Sequence, residues 1–167
     1  MASSHSTPGS AFRAAEEPAS SRERPLRAQR RILLVEDNPA DVTIFQYALK
    51  ERGSGDLVDV ISHGDVAMEF AQREGVFRHD ELLPDLIVLD INLPGFDGLQ
   101  ILGAIRKSDT FRDVPVGIYS SSDDPRDKYL AMEMGARFFI QKPMTLEGLE
   151  SLATTITEVL ASRRKAT

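Results

Sequence analysis

Acidic, hydroxyl and amino side chains stand at separate points of this sequence, each at the end of a short apolar run. In chain order they are Glu36, Asp37, Asp90, Ser120 and Lys142. Three carboxylates brought close together repel one another and need a proton or a cation at neutral pH. An all-oxygen cluster suits Mg²⁺, and beside that ion Asp90 is a candidate carboxylate nucleophile towards phosphorus. Lys142 would neutralise phosphoryl charge and Ser120 would donate a hydrogen bond to a phosphoryl oxygen.

This chemistry requires that the ends of the apolar runs meet, and the pattern from Arg30 onward predicts that they do. Short apolar runs alternate with amphipathic stretches, and Asn38-Pro39 and Asp124-Pro125 each place a capping side chain before a proline that suits the first helical position. The predicted strands cover residues 31–35, 57–61, 85–90, 114–119 and 137–140. Five strands, each followed by a helix, predict an α/β fold with a five-stranded parallel sheet and helices on both faces. In such sheets ligands collect at the carboxyl ends of the strands.

Length and composition set the domain organisation. The 167 residues, 41% of them hydrophobic, suffice for one domain with some chain to spare. Residues 1–29 are rich in Ser, Ala, Pro, Arg and Glu and poor in large apolar side chains, so we expect a disordered extension there. The folded domain is expected over residues 30–163, with a short tail at 164–167.

Charge and residue usage exclude several classes of protein. A net charge of −6 argues against a nucleic-acid-binding protein, which needs a clustered positive field. The chain has no cysteine, so disulfides, thiolate metal sites and cysteine nucleophiles are excluded. No apolar run reaches the roughly 20 residues of a membrane helix, and residues 1–30 lack the apolar core of a signal peptide. We therefore expect a cytoplasmic protein that contacts neither nucleic acid nor membrane.

Each candidate residue also has an ordinary explanation when taken alone. Glu36 and Asp37 could cap the next helix, and a serine after a strand is typical of a turn. A lysine before a proline is a common loop residue. The concurrence of all these side chains at one edge of the predicted sheet favours a functional site.

Taken together, the motifs resemble the receiver domains of two-component response regulators over about residues 31–160. The matching residues are Leu34-Val35-Glu36-Asp37, Asp85 to Pro94 with Asp97-Gly98, Ser120, Gly135-Ala136, Phe139 and Lys142-Pro143. The resemblance implies a flavodoxin-like, doubly wound (βα)5 sandwich. Finer details, such as Val35-Glu-Asp-Asn-Pro-Ala-Asp41, are similar to stand-alone regulators paired with phytochrome-type histidine kinases.

The resemblance also implies the acceptor and the metal site. Asp90 would be the phosphoacceptor. Glu36, Asp37 and Asp90 would hold Mg²⁺ together with the backbone carbonyl of Asn92.

Switching roles follow from the same resemblance. Ser120 and Lys142 would contact the phosphoryl group, and Phe139 would turn inward as Ser120 moves. Asn92 and Ser122 would occupy positions that tune dephosphorylation. The Lys142-Pro143 peptide is often cis in this family.

The function implied is a phosphorylation-driven switch that performs no substrate turnover. A sensor histidine kinase or phosphotransfer protein would phosphorylate Asp90, and slow self-dephosphorylation would reset it. The surface of the fourth helix, fifth strand and fifth helix would then signal to a partner protein or through a homodimer.

Two alternatives remain open at this point. One is a phosphohydrolase with Asp90 as nucleophile, although Asn92 stands where such enzymes commonly place a second aspartate as general acid. The other is a degenerate receiver that binds partners without phosphorylation. Gly117 keeps the second alternative open, because glycine inside a strand weakens it and marks a close approach or a bulge.

Overall fold

The five apolar runs form five strands, and an α-helix follows each of them. The computed structural model describes residues 29–79 and 83–162. The strands are β1 (Arg31–Val35), β2 (Leu57–Ile61), β3 (Leu86–Leu89), β4 (Val116–Ser120) and β5 (Phe138–Gln141). The helices are α1 (Pro39–Glu51), α2 (Gly64–Gln72), α3 (Gly98–Lys107), α4 (Pro125–Glu133) and α5 (Leu146–Ser162). A 3₁₀ turn (Gly75–His79) follows α2.

The strands form one parallel sheet in the order β2-β1-β3-β4-β5. Alternate residues of β1 enter two separate apolar clusters, one built with α1 and α5 and the other with α2, α3 and α4. Helices therefore cover both faces, as predicted. The strand order reverses between β1 and β3, and a crevice forms at the carboxyl ends of strands at such a point.

Side chains at the helix starts explain where the helices begin. Asn38 Oδ1 accepts a hydrogen bond from the backbone N–H of Ala40 at 3.0 Å, and Asp124 Oδ1 accepts one from Arg126 at 2.9 Å. Both caps precede a proline at the first helical position, which confirms the predicted starts of α1 and α4. α3 begins at Gly98, because Asp97 caps it in a reciprocal capping box with Gln100.

The bounds of β4 and β5 differ slightly from those predicted. β4 begins at Val116 instead of Val114, since Pro115 has no N–H to donate and the N–H of Val114 bonds to Phe111 instead. β5 is displaced by one residue towards Lys142. Neither change moves the polar side chains away from the carboxyl edge of the sheet.

Gly117 lies opposite Phe138 across the β4–β5 ladder, and the two residues fit each other in size. The ring of Phe138 occupies the space that a Cβ on Gly117 would take. Phe138 is buried against the apolar cluster of α1 and α5. The pairing register runs unbroken through Gly117 on both sides, so this glycine marks a close approach and no bulge.

We expect Gly117→Ala to lower the free energy of unfolding by about 2 kcal/mol, because the added methyl group overlaps a buried ring. Urea denaturation would measure the change. Phe138→Leu in the same chain should recover part of the loss, giving a non-additive double-mutant cycle. Gly55→Ala is the control, since no atom lies within 4 Å of its Cβ position. Additive effects of Gly117→Ala and Phe138→Leu would contradict the proposed fit.

Several predictions fall outside the described residues. The expected extension lies there except for Gln29, and so do the predicted tail and Arg163. Within 29–79 and 83–162, no helix has the length and apolar character required to cross a membrane.

Candidate functional site

Three carboxylates meet at the carboxyl ends of β1 and β3. Glu36 and Asp37 directly follow β1, and Asp90 directly follows β3. Glu36 and Asp90 are buried and Asp37 is exposed. One oxygen of each carboxylate lies within 4.8 Å of the others, which is close enough to share one cation. The sheet therefore brings these three residues together as the sequence predicted.

The carboxylate of Asp90 is held by contacts to both of its oxygens. Oδ1 accepts hydrogen bonds from Ser120 Oγ at 2.8 Å and from the backbone N–H of Asn92 at 3.1 Å. Oδ2 accepts one from Lys142 Nζ at 2.8 Å. The hydroxyl of Ser120 and the ammonium of Lys142, both predicted as site groups, thus contact the carboxylate of Asp90.

Lys142 contacts two further carboxylates besides Asp90. Its Nζ lies 2.7 Å from Glu36 Oε2 and 2.8 Å from Asp41 Oδ2. Burial alone would lower the pKa of Lys142, but the contacts with the carboxylates of Asp41, Asp90 and Glu36 outweigh burial and raise it. The ammonium is therefore the positive charge that balances this cluster.

The environment of Glu36 fits a cation-binding role. Burial raises the pKa of Glu36, and the contacts with Lys142 and with the backbone N–H of Asn38 reduce this shift without cancelling it. Oε1 accepts the Asn38 N–H at 3.0 Å. Oε2 is buried and close to Lys142 Nζ, yet it has no partner with hydrogen-bond geometry among the described residues, so that contact is ionic and poorly aligned. The oxygen of Glu36 that lacks a hydrogen bond lies beside oxygens of Asp37 and Asp90. Together these carboxylate oxygens form a set of ligands that suits a hard divalent cation.

Gly98 allows α3 to begin close to the phosphoacceptor candidate. A Cβ at this position would overlap the backbone carbonyl of Asp90. The N–H of Gly98 bonds to the carbonyl of Ile91 at 3.0 Å. This contact fastens the chain after Asp90 to the start of α3, which explains the Asp97-Gly98 pair of the sequence motif.

Two residues of the site were not predicted as site residues. Asp41, on the first turn of α1, contacts Lys142 although 101 residues separate them. Tyr119, the residue before Ser120, is fully buried, and its ring centroid lies 5.6 Å from Lys142 Nζ. Burial first, and then the negative charge of Asp41, raises the pKa of Tyr119. The Asn-Pro-Ala-Asp41 stretch was visible in the sequence, but only the fold shows which cation its aspartate meets.

The remaining predicted residues lie nearby. Ser122 Oγ donates to Asp127 Oδ2 at 2.5 Å and its N–H donates to Ser120 Oγ at 3.3 Å, so Ser122 links β4 to α4. Phe139 is half-buried and packs against the cluster of α2, α3 and α4. The Lys142-Pro143 peptide is trans, so the expectation of a cis bond was wrong.

Comparison with known proteins agrees with this geometry. The family described as "Response regulator receiver domain" matches residues 32–154. Response regulator Rcp1 of Synechocystis sp. is 31% identical over 118 residues, which cover 71% of this chain and 80% of Rcp1. TrcR, a transcriptional regulatory protein of Mycobacterium tuberculosis, is 34% identical over 119 residues, and the match spans only 42% of its length.

Solved structures show the same likeness. The phosphorylated cyanobacterial phytochrome response regulator RcpA superposes with a TM-score of 0.71 at 32% identity, covering 81% of this chain and 96% of RcpA. The Mn²⁺-bound form of Rcp1 gives a TM-score of 0.68 at 29% identity, covering 77% and 92% of the two chains. The five-stranded parallel fold, the acidic cluster and these matches show that the chain belongs to the response regulator receiver domain family of two-component systems.

Proposed function

We propose that the chain is a single-domain response regulator whose Asp90 accepts a phosphoryl group from a sensor histidine kinase or phosphotransfer protein. The observation that carries this proposal is the coordination of the Asp90 carboxylate by Ser120, Lys142 and the Asn92 N–H at one edge of the sheet. In the transfer, a bond forms between an Asp90 carboxylate oxygen and phosphorus while the phosphorus–nitrogen bond of the donor phosphohistidine breaks. The electron pair of that bond leaves with the imidazole. Asp90 reacts as the anion, so it gives up no proton.

A divalent cation completes this site in the proposal. Glu36, Asp37 and Asp90 would hold Mg²⁺, with the Asn92 carbonyl as a further ligand. The bound ion would neutralise negative charge on the phosphoryl oxygens. The solved Mn²⁺-bound form of Rcp1 supports a divalent cation in a related protein.

The chain's own residues would then orient and stabilise the phosphoryl group. Ser120 and Lys142 both already contact Asp90, and each would transfer its hydrogen bond to a phosphoryl oxygen. Phe139, half-buried beside β4, would follow Ser120 inward. Asn92 and Ser122 would set how readily water reaches the acyl phosphate.

The output would pass through the surface of α4, β5 and α5. Among the described residues of α4 only Ala131 is buried, while Tyr129, Leu130 and Met132 are exposed. A helix with so few buried contacts can shift at low cost when Ser120 moves. The signal would reach a partner protein or a second copy of the chain.

The domain organisation and setting complete the proposal. Residues 30–163 would form the receiver, with 1–29 as an extension and 164–167 as a tail. The chain would act in the cytoplasm. The phytochrome connection in the name of RcpA supports a phytochrome-type kinase as the phosphoryl donor.

Intact-mass spectrometry after incubation with acetyl phosphate and Mg²⁺ tests the proposal. We expect one added phosphoryl group, which borohydride reduction and peptide mapping would assign to Asp90. The absence of an adduct, together with no binding of beryllofluoride, would favour the phosphorylation-independent binding module. Sustained turnover of a phosphomonoester would favour the phosphohydrolase.

A further inference from the structure

The ammonium of Lys142 is shared among three carboxylates, and one of them does not belong to the acidic cluster that suits a cation. Nζ lies 2.8 Å from Oδ2 of Asp90, 2.7 Å from Oε2 of Glu36 and 2.8 Å from Oδ2 of Asp41. An ammonium group has three N–H donors. Two of them donate to Asp90 and Asp41 before any phosphoryl group arrives, and the contact with Glu36 is ionic.

The carboxylate of Asp41 is held in place by the start of α1. Its Oδ2, the atom that contacts Lys142, also accepts a hydrogen bond from Asn38 Nδ2 at 3.0 Å. Asn38 is itself fixed, because its Oδ1 caps α1 and its N–H donates to Glu36 Oε1. Asp41 therefore presents its charge to Lys142 from a rigid helix terminus.

An aromatic ring lies next to the same ammonium. The centroid of Tyr119 is 5.6 Å from Lys142 Nζ, within the range of a cation–π contact. The ring is fully buried and packs edge-on against Phe45 of α1, with centroids 5.4 Å apart. Asp41 and Tyr119 thus favour a position of the ammonium on the α1 side of the site.

Phosphorylation would affect the three carboxylates around Lys142, those of Asp90, Glu36 and Asp41, in different ways. The carboxylate of Asp90 loses its negative charge when it becomes an acyl phosphate, and a divalent cation in the acidic cluster would balance Glu36. Neither event changes Asp41, which remains a full competitor for Lys142. Its side chain is 20% exposed, so this ion pair is partly screened by water.

We propose that Asp41 is a positioning residue that keeps Lys142 on the α1 side and so weakens the hold of Lys142 on the phosphoryl group. This role rests on the proposed function and adds a regulator of that site. The strength of the Asp41–Lys142 pair would set how tightly the phosphorylated state is held.

Beryllofluoride, a mimic of the phosphoryl group, tests this role on the full chain in the presence of Mg²⁺. Fluorine NMR would give its affinity for wild type and for Asp41→Asn. We expect Asp41→Asn to bind beryllofluoride about three- to five-fold more tightly, the range of a partly exposed ion pair. Asp41→Glu, which keeps the charge, should return the affinity towards that of wild type.

A second affinity separates positioning from general loosening of the site. Removal of a negative charge cannot strengthen cation binding, so Asp41→Asn should bind Mg²⁺ alone no more tightly than wild type. A loosened site would instead bind both Mg²⁺ and beryllofluoride more weakly, which would overturn the role. Asp123→Asn, an exposed carboxylate in the loop between β4 and α4, is the charge-matched control and should stay within two-fold of wild type.

The outcomes distinguish this inference from the proposed function. If wild type takes up neither beryllofluoride nor a phosphoryl group, the proposed function fails. If wild type binds beryllofluoride and Asp41→Asn binds it equally or more weakly, only the role of Asp41 fails. An equal gain in Asp123→Asn would also overturn it, because the effect would then be one of net charge.

Discussion

Replacing Asp90 with Asn is expected to reduce phosphoryl incorporation from acetyl phosphate to background. The amide is a far weaker nucleophile than the carboxylate, and it carries no charge to pair with Lys142, whose Nζ lies 2.8 Å from Asp90 Oδ2. The substitution also removes one of the three carboxylates that could hold the divalent cation. Intact-mass spectrometry in Mg²⁺ would measure the loss, and circular dichroism would confirm that the variant is folded.

Asp109→Asn provides the matched control for this loss. Asp109 lies between α3 and β4, at the edge of the sheet opposite Asp90, and its side chain is 95% exposed. The same chemical change there should leave incorporation at the wild-type level. Incorporation by Asp90→Asn at a rate near that of wild type would show that another residue accepts the phosphoryl group.

Replacing Lys142 with Met is expected to lower the free energy of unfolding by about 3 kcal/mol at pH 7 in the absence of divalent cations. The substitution leaves the carboxylates of Glu36, Asp41 and Asp90 without their shared counter-ion. The side chains of Glu36 and Asp90 are 0% and 4% exposed, so water compensates them poorly. Removal of one partner from a buried ion pair costs several kcal/mol for this reason.

Protonation should partly rescue the Lys142→Met variant. Burial already raises the pKa of Glu36 in the folded protein, and the loss of Lys142 removes a contact that lowers it. The folded state then binds more protons than the unfolded state in the interval between the ordinary pKa and the raised one. The free energy of unfolding therefore rises as the pH falls towards and through the raised pKa. The stability lost by Lys142→Met relative to wild type should thus be smaller at pH 5 than at pH 7. Urea denaturation at both pH values would measure it.

Mg²⁺ should rescue the same variant more strongly than it stabilises wild type. A cation in the acidic cluster would replace the missing ammonium charge and stabilise the folded state by binding to it alone. Lys128→Met, at an exposed lysine on α4, is the control, and neither lower pH nor Mg²⁺ should stabilise it more than wild type. Equal stabilisation of wild type and Lys142→Met by Mg²⁺ would contradict this account of the charge balance.

Much of the fold was predictable because its signals are local. The apolar runs mark strands, and Asn38-Pro39 and Asp124-Pro125 mark helix starts through side chains that satisfy their own neighbouring N–H groups. Those caps need no distant contact, so they can be read from a few residues. The start of β4 differs from the predicted one, because Pro115 delays it until Val116.

The gathering of the site residues was also predictable, because every strand of a parallel sheet points the same way. Residues at the ends of β1, β3, β4 and β5, or directly after them, must then lie at one edge, whichever strands are neighbours. That geometric rule placed Glu36, Asp37, Asp90, Ser120 and Lys142 together from their positions in the sequence alone. It did not say which oxygen each donor would contact.

The partners of individual groups were decided only by the tertiary structure. Asp41 meets Lys142 across 101 residues because α1 begins at the carboxyl edge of the sheet, where β5 also ends, and no local pattern reports that contact. Gly117 faces the ring of Phe138 because the β4–β5 register aligns them, and a shift of one residue would remove the fit. Sequence by itself thus determined the kinds of side chain, the elements and the sheet edge where they meet. Contacts below 3 Å depend on crossover lengths, register and packing, which the whole fold sets at once.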